Sequence, residues 1–339
     1  MKGWPISSTL RADRRTLLAL LCLLVLAAAF SLCLGAESIS PGEVIRALLD
    51  GRADGAESSI VLFVRLPRTL AALLAGAALA VSGAMVQTVL NNPLAAPSTI
   101  GVNAGAGLAV SLCCAAAPAA VRLVPFAALA GALLGAMLVL FIAERTGASR
   151  LTLVLAGIAL SGIFSAGVDA VVTFVPDALA GYSDFRIGGL SGVAMTRLAP
   201  AVWIILPCLL ASLSLRHELD VLKLGREQAQ ALGLPAQKIR LLTLALAAAL
   251  AGAAVSFSGL LGFIGLIVPH IMRRLTGGDA GPLLASCALG GAALLCFCDT
   301  AARLLFAPYE LPVGIVLSLA GGPFFIVLLL RQRRGRIHA

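Results

Sequence analysis

The chain has 339 residues, of which 60% are apolar, 12% charged and 5% aromatic, and its formal net charge is +9. Soluble domains run at about 45–50% apolar and about 25% charged, so a soluble enzyme is excluded. The apolar residues are chiefly Ala, Leu and Gly rather than alternating β-branched or aromatic ones, which excludes an outer-membrane barrel and leaves a polytopic all-α membrane protein.

A membrane-crossing helix needs roughly 20 apolar residues. Taken along the chain, such segments lie at residues 16–36, 69–90, 98–117, 124–143 and 151–172, then 199–215, 241–257, 260–272, 282–305 and 312–330. The first follows Arg14-Arg15 in the manner of a secretory leader, but its length and the nine spans after it mark a retained anchor. The stretch from Leu241 to Met272 reads either as one long helix or as two short ones broken at Ser256-Phe257-Ser258-Gly259.

Charge decides between nine and ten spans. With ten, both termini are cytoplasmic and 17 of the 25 Lys and Arg residues lie inside, among them Arg145, Arg150, Arg216, Lys223, Arg226, Lys238, Arg240, Arg273 and Arg274. The loop at residues 37–62 is then outside and acidic, carrying Glu37, Glu43, Asp50, Asp54 and Glu57. Nine spans would put the tail Arg331-Gln332-Arg333-Arg334 outside, against the positive-inside rule. The expected organisation is a cytoplasmic tail at 1–15, one ten-helix transmembrane domain at 16–330 and a basic cytoplasmic tail at 331–339. The net positive charge serves orientation and contact with anionic lipid. No basic stripe with interleaved aromatics points to nucleic acid.

The ionisable residues narrow the function. Only Asp169 and Asp299 are carboxylates within the spans, and both lie towards outer ends, so ion-coupled transport is poorly supported. His217, His270 and His338 are scattered, and no His-Glu-x-x-His motif or carboxylate pair makes a catalytic site. Cys22, Cys33, Cys113, Cys114, Cys208, Cys287, Cys296 and Cys298 all lie in apolar runs, where a thiol packs as a small hydrophobe. No metal site is expected from Cys296-x-Cys298, which lacks a second ligand pair. The segment 217–240 has the character of a short amphipathic cytoplasmic helix stopped by Gly233 and Pro235, a surface for a partner or else a solvated loop.

Several blocks carry a resemblance to a known family. They are Arg65-Leu66-Pro67-Arg68 with Gly76 to Gly83, Asn92-Pro93-Leu94-Ala95-Ala96-Pro97, Gly188-Gly189-Leu190-Ser191-Gly192, Leu232-Gly233-Leu234-Pro235, Gly262 to His270, Glu310-Leu311-Pro312-Val313-Gly314 and Gly321-Gly322-Pro323-Phe324-Phe325. In this order, from about Leu62 to Leu330, the chain resembles the FecCD family of ABC-transporter permeases, which includes iron-siderophore, haem and cobalamin importers. The resemblance implies a type II ABC importer permease fold with ten spans and an inverted repeat relating spans two to five with seven to ten. It also implies a bacterial inner-membrane location, a second copy of this chain or a homologous permease, a cytoplasmic ATPase dimer and a periplasmic or lipid-anchored binding protein.

Roles follow from the matching positions. Arg65, Arg68 and Arg303 correspond to basic residues that receive acidic residues of the binding protein, a task suited to the planar guanidinium fork. The plainer readings are interfacial snorkelling and, for Arg303, an i,i+4 pair with Asp299. The segment from Leu222 to Leu234 is implied to be the coupling helix seated on the ATPase. Leu222 and Leu232 frame it, Gly225, Ala229 and Gly233 permit close approach, and Arg226 and Glu227 orient the pair. A cytoplasmic gate is implied at Thr146-Gly147-Ala148-Ser149, where Ser149 also reads as an ordinary N-cap.

The chain has no Gly-x-x-x-x-Gly-Lys-Ser/Thr loop, so no cofactor is expected on it and ATP-Mg belongs to the partner ATPase. A bare metal ion would call for His, Cys or carboxylate clusters along the pathway. None is evident, so any metal travels inside an organic chelate. Ferric siderophore is the first choice, with haem and cobalamin open; Asp169, Asp177, Tyr182, Asp184 and Arg186 at the outer mouth are candidate cargo contacts or solvated loop residues. A stand-alone secondary transporter is the competing class.

Overall fold

Backbone that crosses a bilayer must satisfy its own hydrogen bonds, and runs of Ala, Leu and Gly do so as helices. A computed structural model describes residues 14–35, 37–53, 55–146, 150–305, 307 and 309–337, and among these residues there is no strand. The first helices are α1 (Arg14–Cys33), α2 (Pro41–Asp50) and α3 (Ala56–Ser59), the last passing through a π-helical turn (Ile60–Arg65) into α4 (Leu66–Leu90). Next come α5 (Val102–Ala116), α6 (Val124–Arg145), α7 (Arg150–Phe174), α8 (Ala178–Ile187) and α9 (Met195–Ser214). They are followed by α10 (Arg216–Lys223), α11 (Arg226–Ala231), α12 (Ala236–Ser258), α13 (Ile264–Thr276), α14 (Ala280–Leu304) and α15 (Val313–Ile337).

Each span expected from the sequence coincides with a helix, and among the described residues seven helical stretches are long and apolar enough to cross a membrane: α1, Ala56–Leu90, Val121–Arg145, α7, α9, α12 and α14. The apolar α5 and Val313–Val327 are shorter. With 13 residues, α13 rises only about 20 Å, against a hydrocarbon core of roughly 30 Å.

Two boundaries depart from expectation. The stretch from Leu241 to Met272 is indeed two helices, but the break lies at Gly259–Phe263, where both residues have positive φ (+68° and +66°). The Ser256 and Ser258 hydroxyls donate to the carbonyls of Ala253 and Ala254, so these serines continue α12 instead of ending it. The second span starts well before Thr69, because helix is continuous over 35 residues from Ala56 to Leu90. Pro67 lacks a backbone donor, and the turn before it widens so that the Leu66 N–H bonds to the Val61 carbonyl, five residues back. Arg65 and Arg68 therefore sit inside a long helix rather than at its mouth.

The centre of the bundle is α4, buried along almost its whole length and packed on α14, α12, α13, α1 and α9. Its small residues let backbone touch backbone. A Cβ on Gly76 would lie 2.2 Å from the Gly291 carbonyl oxygen of α14, and one on Gly83 would lie 2.0 Å from that of Gly265 on α13. The polar side chains of α4 are satisfied within the bundle. Ser82 Oγ donates to Ala247 O at 2.6 Å, Gln87 Nε2 donates to Gly265 O at 3.1 Å, and Arg273 Nη1 donates to Gln87 Oε1 at 2.6 Å.

The acidic loop at 37–62 is not a loop throughout. It folds α2, whose N-terminus carries a capping box between Ser40 and Glu43 and whose Val44 and Ala47 bury against Ile39 and Val61. At the other extreme, α7 leaves Leu151, Leu155, Ile158 and Ile163 exposed, the kind of surface that a bilayer or another membrane chain covers.

Candidate functional site

The charged groups of the described bundle gather at its two ends. At the end that the charge rule places outside, Asp299 of α14 is fully buried and held by Arg68 of α4, with Nε 2.9 Å from Oδ2 and Nη2 3.0 Å from Oδ1. Arg68 Nη1 reaches Glu310 Oε2 at 2.6 Å. Arg303, one turn beyond Asp299, places Nε 3.4 Å from Asp299 Oδ2, close enough for charge attraction but without a hydrogen bond. Its Nη2 donates to Ser31 O at 3.1 Å, Ser31 Oγ at 3.0 Å and Thr300 Oγ1 at 3.3 Å. Arg65 Nη1 donates to the Leu32 and Cys33 carbonyls at 2.8 Å each, and Nη2 donates to the Glu37 carbonyl. Arg65 thus caps the carbonyl end of α1, where the helix dipole favours a cation.

All three arginines expected to receive a binding protein are buried, at 4, 5 and 4% exposure for Arg65, Arg68 and Arg303. Their guanidinium groups are engaged within the chain, so they do not present a free fork at the surface. The i,i+4 pairing of Arg303 with Asp299 is present, but the main partner of Asp299 is Arg68, from a helix distant in sequence. Arg68 and Glu310 also border an open cavity of about 700 Å³, whose polar lining includes Asp177, Asp184, Ser191 and Arg197. Of the outer-mouth residues expected as cargo contacts or solvated loop residues, Asp177 and Asp184 line this cavity, whereas Asp169, Tyr182 and Arg186 do not.

At the opposite end the expected single coupling helix is two pieces, α10 and α11, meeting at a corner. Gly225 adopts φ +106° and ψ 164°, a region open in practice only to glycine, which breaks the helix at that residue. Ala229 is fully buried and Leu222 is 9% exposed, so both pack inward and are not offered to another protein. Arg226, Glu227 and Gly233 are exposed, and Leu232 at 66% projects an apolar side chain outward. Leu224, which lies within the expected segment 222–234 and beside the corner glycine, is also exposed.

Of the expected gate, Thr146 ends α6 with its hydroxyl donating to Ile142 O at 2.8 Å. Ala148 and Ser149 lie outside the described residues. Among the described residues no group of three or more His, Cys, Asp or Glu is placed to hold a metal ion.

A multi-pass helical membrane protein with an ion-paired mouth at one end and a helical platform at the other belongs to the class of membrane transport subunits. The chain is a member of the FecCD transport family, whose model matches residues 23–331. It is 40% identical over 332 residues to the hemin transport system permease protein HmuU of Yersinia pestis, covering 94% of this chain and 96% of that one. Identity to the Fe(3+)-citrate import system permease protein YfmE of Bacillus subtilis is 38%, over 97% of this chain and 99% of the relative. To the vitamin B12 import system permease protein BtuC of Escherichia coli it is 39%, over 96% and 97%. Among solved structures, an inward-facing metal-chelate type ABC transporter matches with a TM-score of 0.83 and 31% identity, over 94% of this chain and 99% of that one.

Proposed function

We propose that this chain is the membrane permease of an ATP-driven importer for a metal chelate. One observation carries the reading: the chain aligns over nearly its full length with permeases whose named cargoes, hemin, ferric citrate and vitamin B12, are all metals held in an organic ligand. Ferric siderophore is the first-choice cargo, with haem and cobalamin as alternatives.

In this reading ten helices span the bacterial inner membrane, α1, α4 to α7, α9 and α12 to α15, with both termini cytoplasmic. Two short spans support an inverted repeat, since α5 and α13 each follow an interrupted segment and pack on the next long helix, α6 and α14. Two copies enclose the pathway, with the stretch at Thr146–Ser149 as its cytoplasmic gate. A dimeric ATPase carries ATP-Mg and seats on the exposed Leu224, Arg226, Glu227, Leu232 and Gly233, with Gly225 setting the corner that presents them. The binding protein docks around the cavity bordered by Arg68, where Glu310, with 38% of its side chain exposed, is the member of the cluster a partner reaches first.

The test is purification from membranes in mild detergent with any associated ATPase, followed by ATP hydrolysis assays on wild type and Leu232→Asp. Because Leu232 projects from the surface, the substitution leaves the fold intact. A stoichiometric ATPase that is lost from the variant supports the reading. A folded chain that never retains an ATPase, yet moves chelate into liposomes on an ion gradient, overturns it in favour of a secondary transporter.

A further inference from the structure

Helix α10 is fastened to the start of α14 by a set of polar contacts that the ATPase-facing surface does not require. Ala280, the first residue of α14, donates its backbone N–H to Asp220 Oδ1 at 2.8 Å. Asp279, which occupies the N-cap position of that helix, makes no side-chain capping bond. The first turn of α14 is therefore capped from another helix, by a carboxylate that also complements the positive end of the helix dipole. Lys223, one turn along from Asp220, donates to Asp220 Oδ1 at 2.5 Å and to the Gly278 carbonyl. The Arg216 side chain packs over Gly281, with Cδ 3.2 Å from where a Cβ would stand there.

From this joint α14 runs 25 residues, about 37 Å, to the other end of the bundle. On the way its backbone meets that of α4 at Gly291 and Gly76, and near its end Asp299 holds Arg68 of α4. A polar anchor at each end and backbone contact between them make α14 and α4 a stiff pair that connects the ATPase-side platform to the outer mouth.

The geometry points to Asp220, assisted by Lys223, as the positioning residue that couples movement of the cytoplasmic platform to the outer mouth through α14. This rests on the proposed importer function and names where its mechanical linkage lies within the chain. In this inference Asp220 and Lys223 act on α14 and not through a contact with the ATPase. Asp220 acts by holding the first turn of α14 to α10, so that a displacement imposed on the α10–α11 corner is passed along the helix instead of being absorbed at the 277–279 turn.

The test uses the complete transporter, permease with co-purified ATPase and binding protein, in proteoliposomes. Iron-55 ferric hydroxamate, iron-55 ferric citrate, iron-55 hemin and cobalt-57 cobalamin are offered, and the one that wild type accumulates is kept. The readout is chelate moved per ATP hydrolysed, a ratio that a change in the amount of folded protein does not alter. Asp220→Ala is expected to lower the ratio by about fivefold or more while ATP hydrolysis persists. Asp220→Asn, which keeps an oxygen for the Ala280 N–H, is expected to restore at least half of it, and Asp279→Ala to leave it at the wild-type value. Should Asp220→Ala fail to assemble, Lys223→Ala, which leaves the cap in place, is expected to lower the ratio in the same direction. A ratio unchanged in every assembled variant, or one lowered as much by Asp279→Ala as by Asp220→Ala, overturns the inference. Absence of ATP-dependent uptake in wild type overturns the importer reading itself and is distinguishable from either.

Discussion

Arg68 and Asp299, 231 positions apart in the chain, form a two-pronged ion pair in which the carboxylate has no exposure at all. Breaking a buried pair strands the remaining charge, and here the carboxylate answers to a second guanidinium as well. Asp299→Ala is expected to cost about 3–5 kcal/mol, visible as a fall in thermal unfolding temperature in detergent. Glu310→Ala removes only a carboxylate whose side chain is 38% exposed, for which about 0.2–1 kcal/mol is expected once solvent screening is allowed for. Equal losses from the two substitutions would contradict the assignment of Asp299 as the centre of the cluster.

The contact between α4 and α14 is backbone on backbone, so even a methyl group has nowhere to go. Gly76→Ala would put a Cβ 2.2 Å from the Gly291 carbonyl oxygen and must push the two helices apart. Overpacking of this kind costs about 1–3 kcal/mol or more. By contrast, a methyl group added at Gly42 of α2 would meet nothing within 4 Å, and Gly42→Ala is expected to be neutral or to stabilise by up to about 1 kcal/mol. Detergent unfolding curves of the two variants are expected to shift in opposite directions, or the second not at all.

At the platform, Gly225 supplies a backbone conformation rather than a contact. Its φ of +106° with ψ 164° strains any other residue by about 1–3 kcal/mol. Gly225→Ala is therefore expected to loosen the corner between α10 and α11 and to speed limited proteolysis there, whereas Leu232→Asp is expected to leave the cleavage pattern unchanged. Proteolysis as slow in Gly225→Ala as in wild type would show that the corner does not depend on glycine.

The capping box of α2 carries a pH dependence. The Ser40 hydroxyl donates to Glu43 Oε2 at 2.8 Å, and that bond, joined by the Ser40 backbone N–H at 3.1 Å, holds the Glu43 carboxyl below its ordinary value of 4.5. A depressed carboxylate pKa stabilises the fold at pH above 4.5, and that contribution is lost as pH falls below 4.5 through the lowered value. Amides of α2 are thus expected to lose hydrogen-exchange protection in acid, after correction for intrinsic rates. Ser40→Ala, which removes the hydroxyl and keeps the backbone N–H bond, is expected to weaken this pH dependence; protection that falls equally in the variant would assign it elsewhere.

Much of the fold was legible because hydropathy is a local and additive property. Each apolar run from 16–36 to 312–330 coincides with a helix, and the blocks running from Arg65 to Phe325 were sufficient for the family. Some misses had a visible signal. Ser40-x-x-Glu43 announces the start of α2, and glycine at 225 forbids the continuous coupling helix expected over 222–234. The break between α12 and α13 was misplaced because serines next to glycine look like a stop, while in the bundle their hydroxyls bond back into the helix.

By itself, then, the amino-acid sequence determined the membrane class, the position of the apolar helices and the family, all of which depend on residues close together in the chain. Tertiary structure alone decided which faces are inner and which charges are internal. Helix α4 is buried on nearly every side and its few polar residues form no stripe, so no periodicity marks the side that meets Gly291 or the partner that Arg68 will find. An arginine at a span end looks the same whether it awaits another protein or a buried aspartate contributed by α14. Its meaning is fixed only when helices distant in sequence pack and the low-polarity interior requires every charge to be paired.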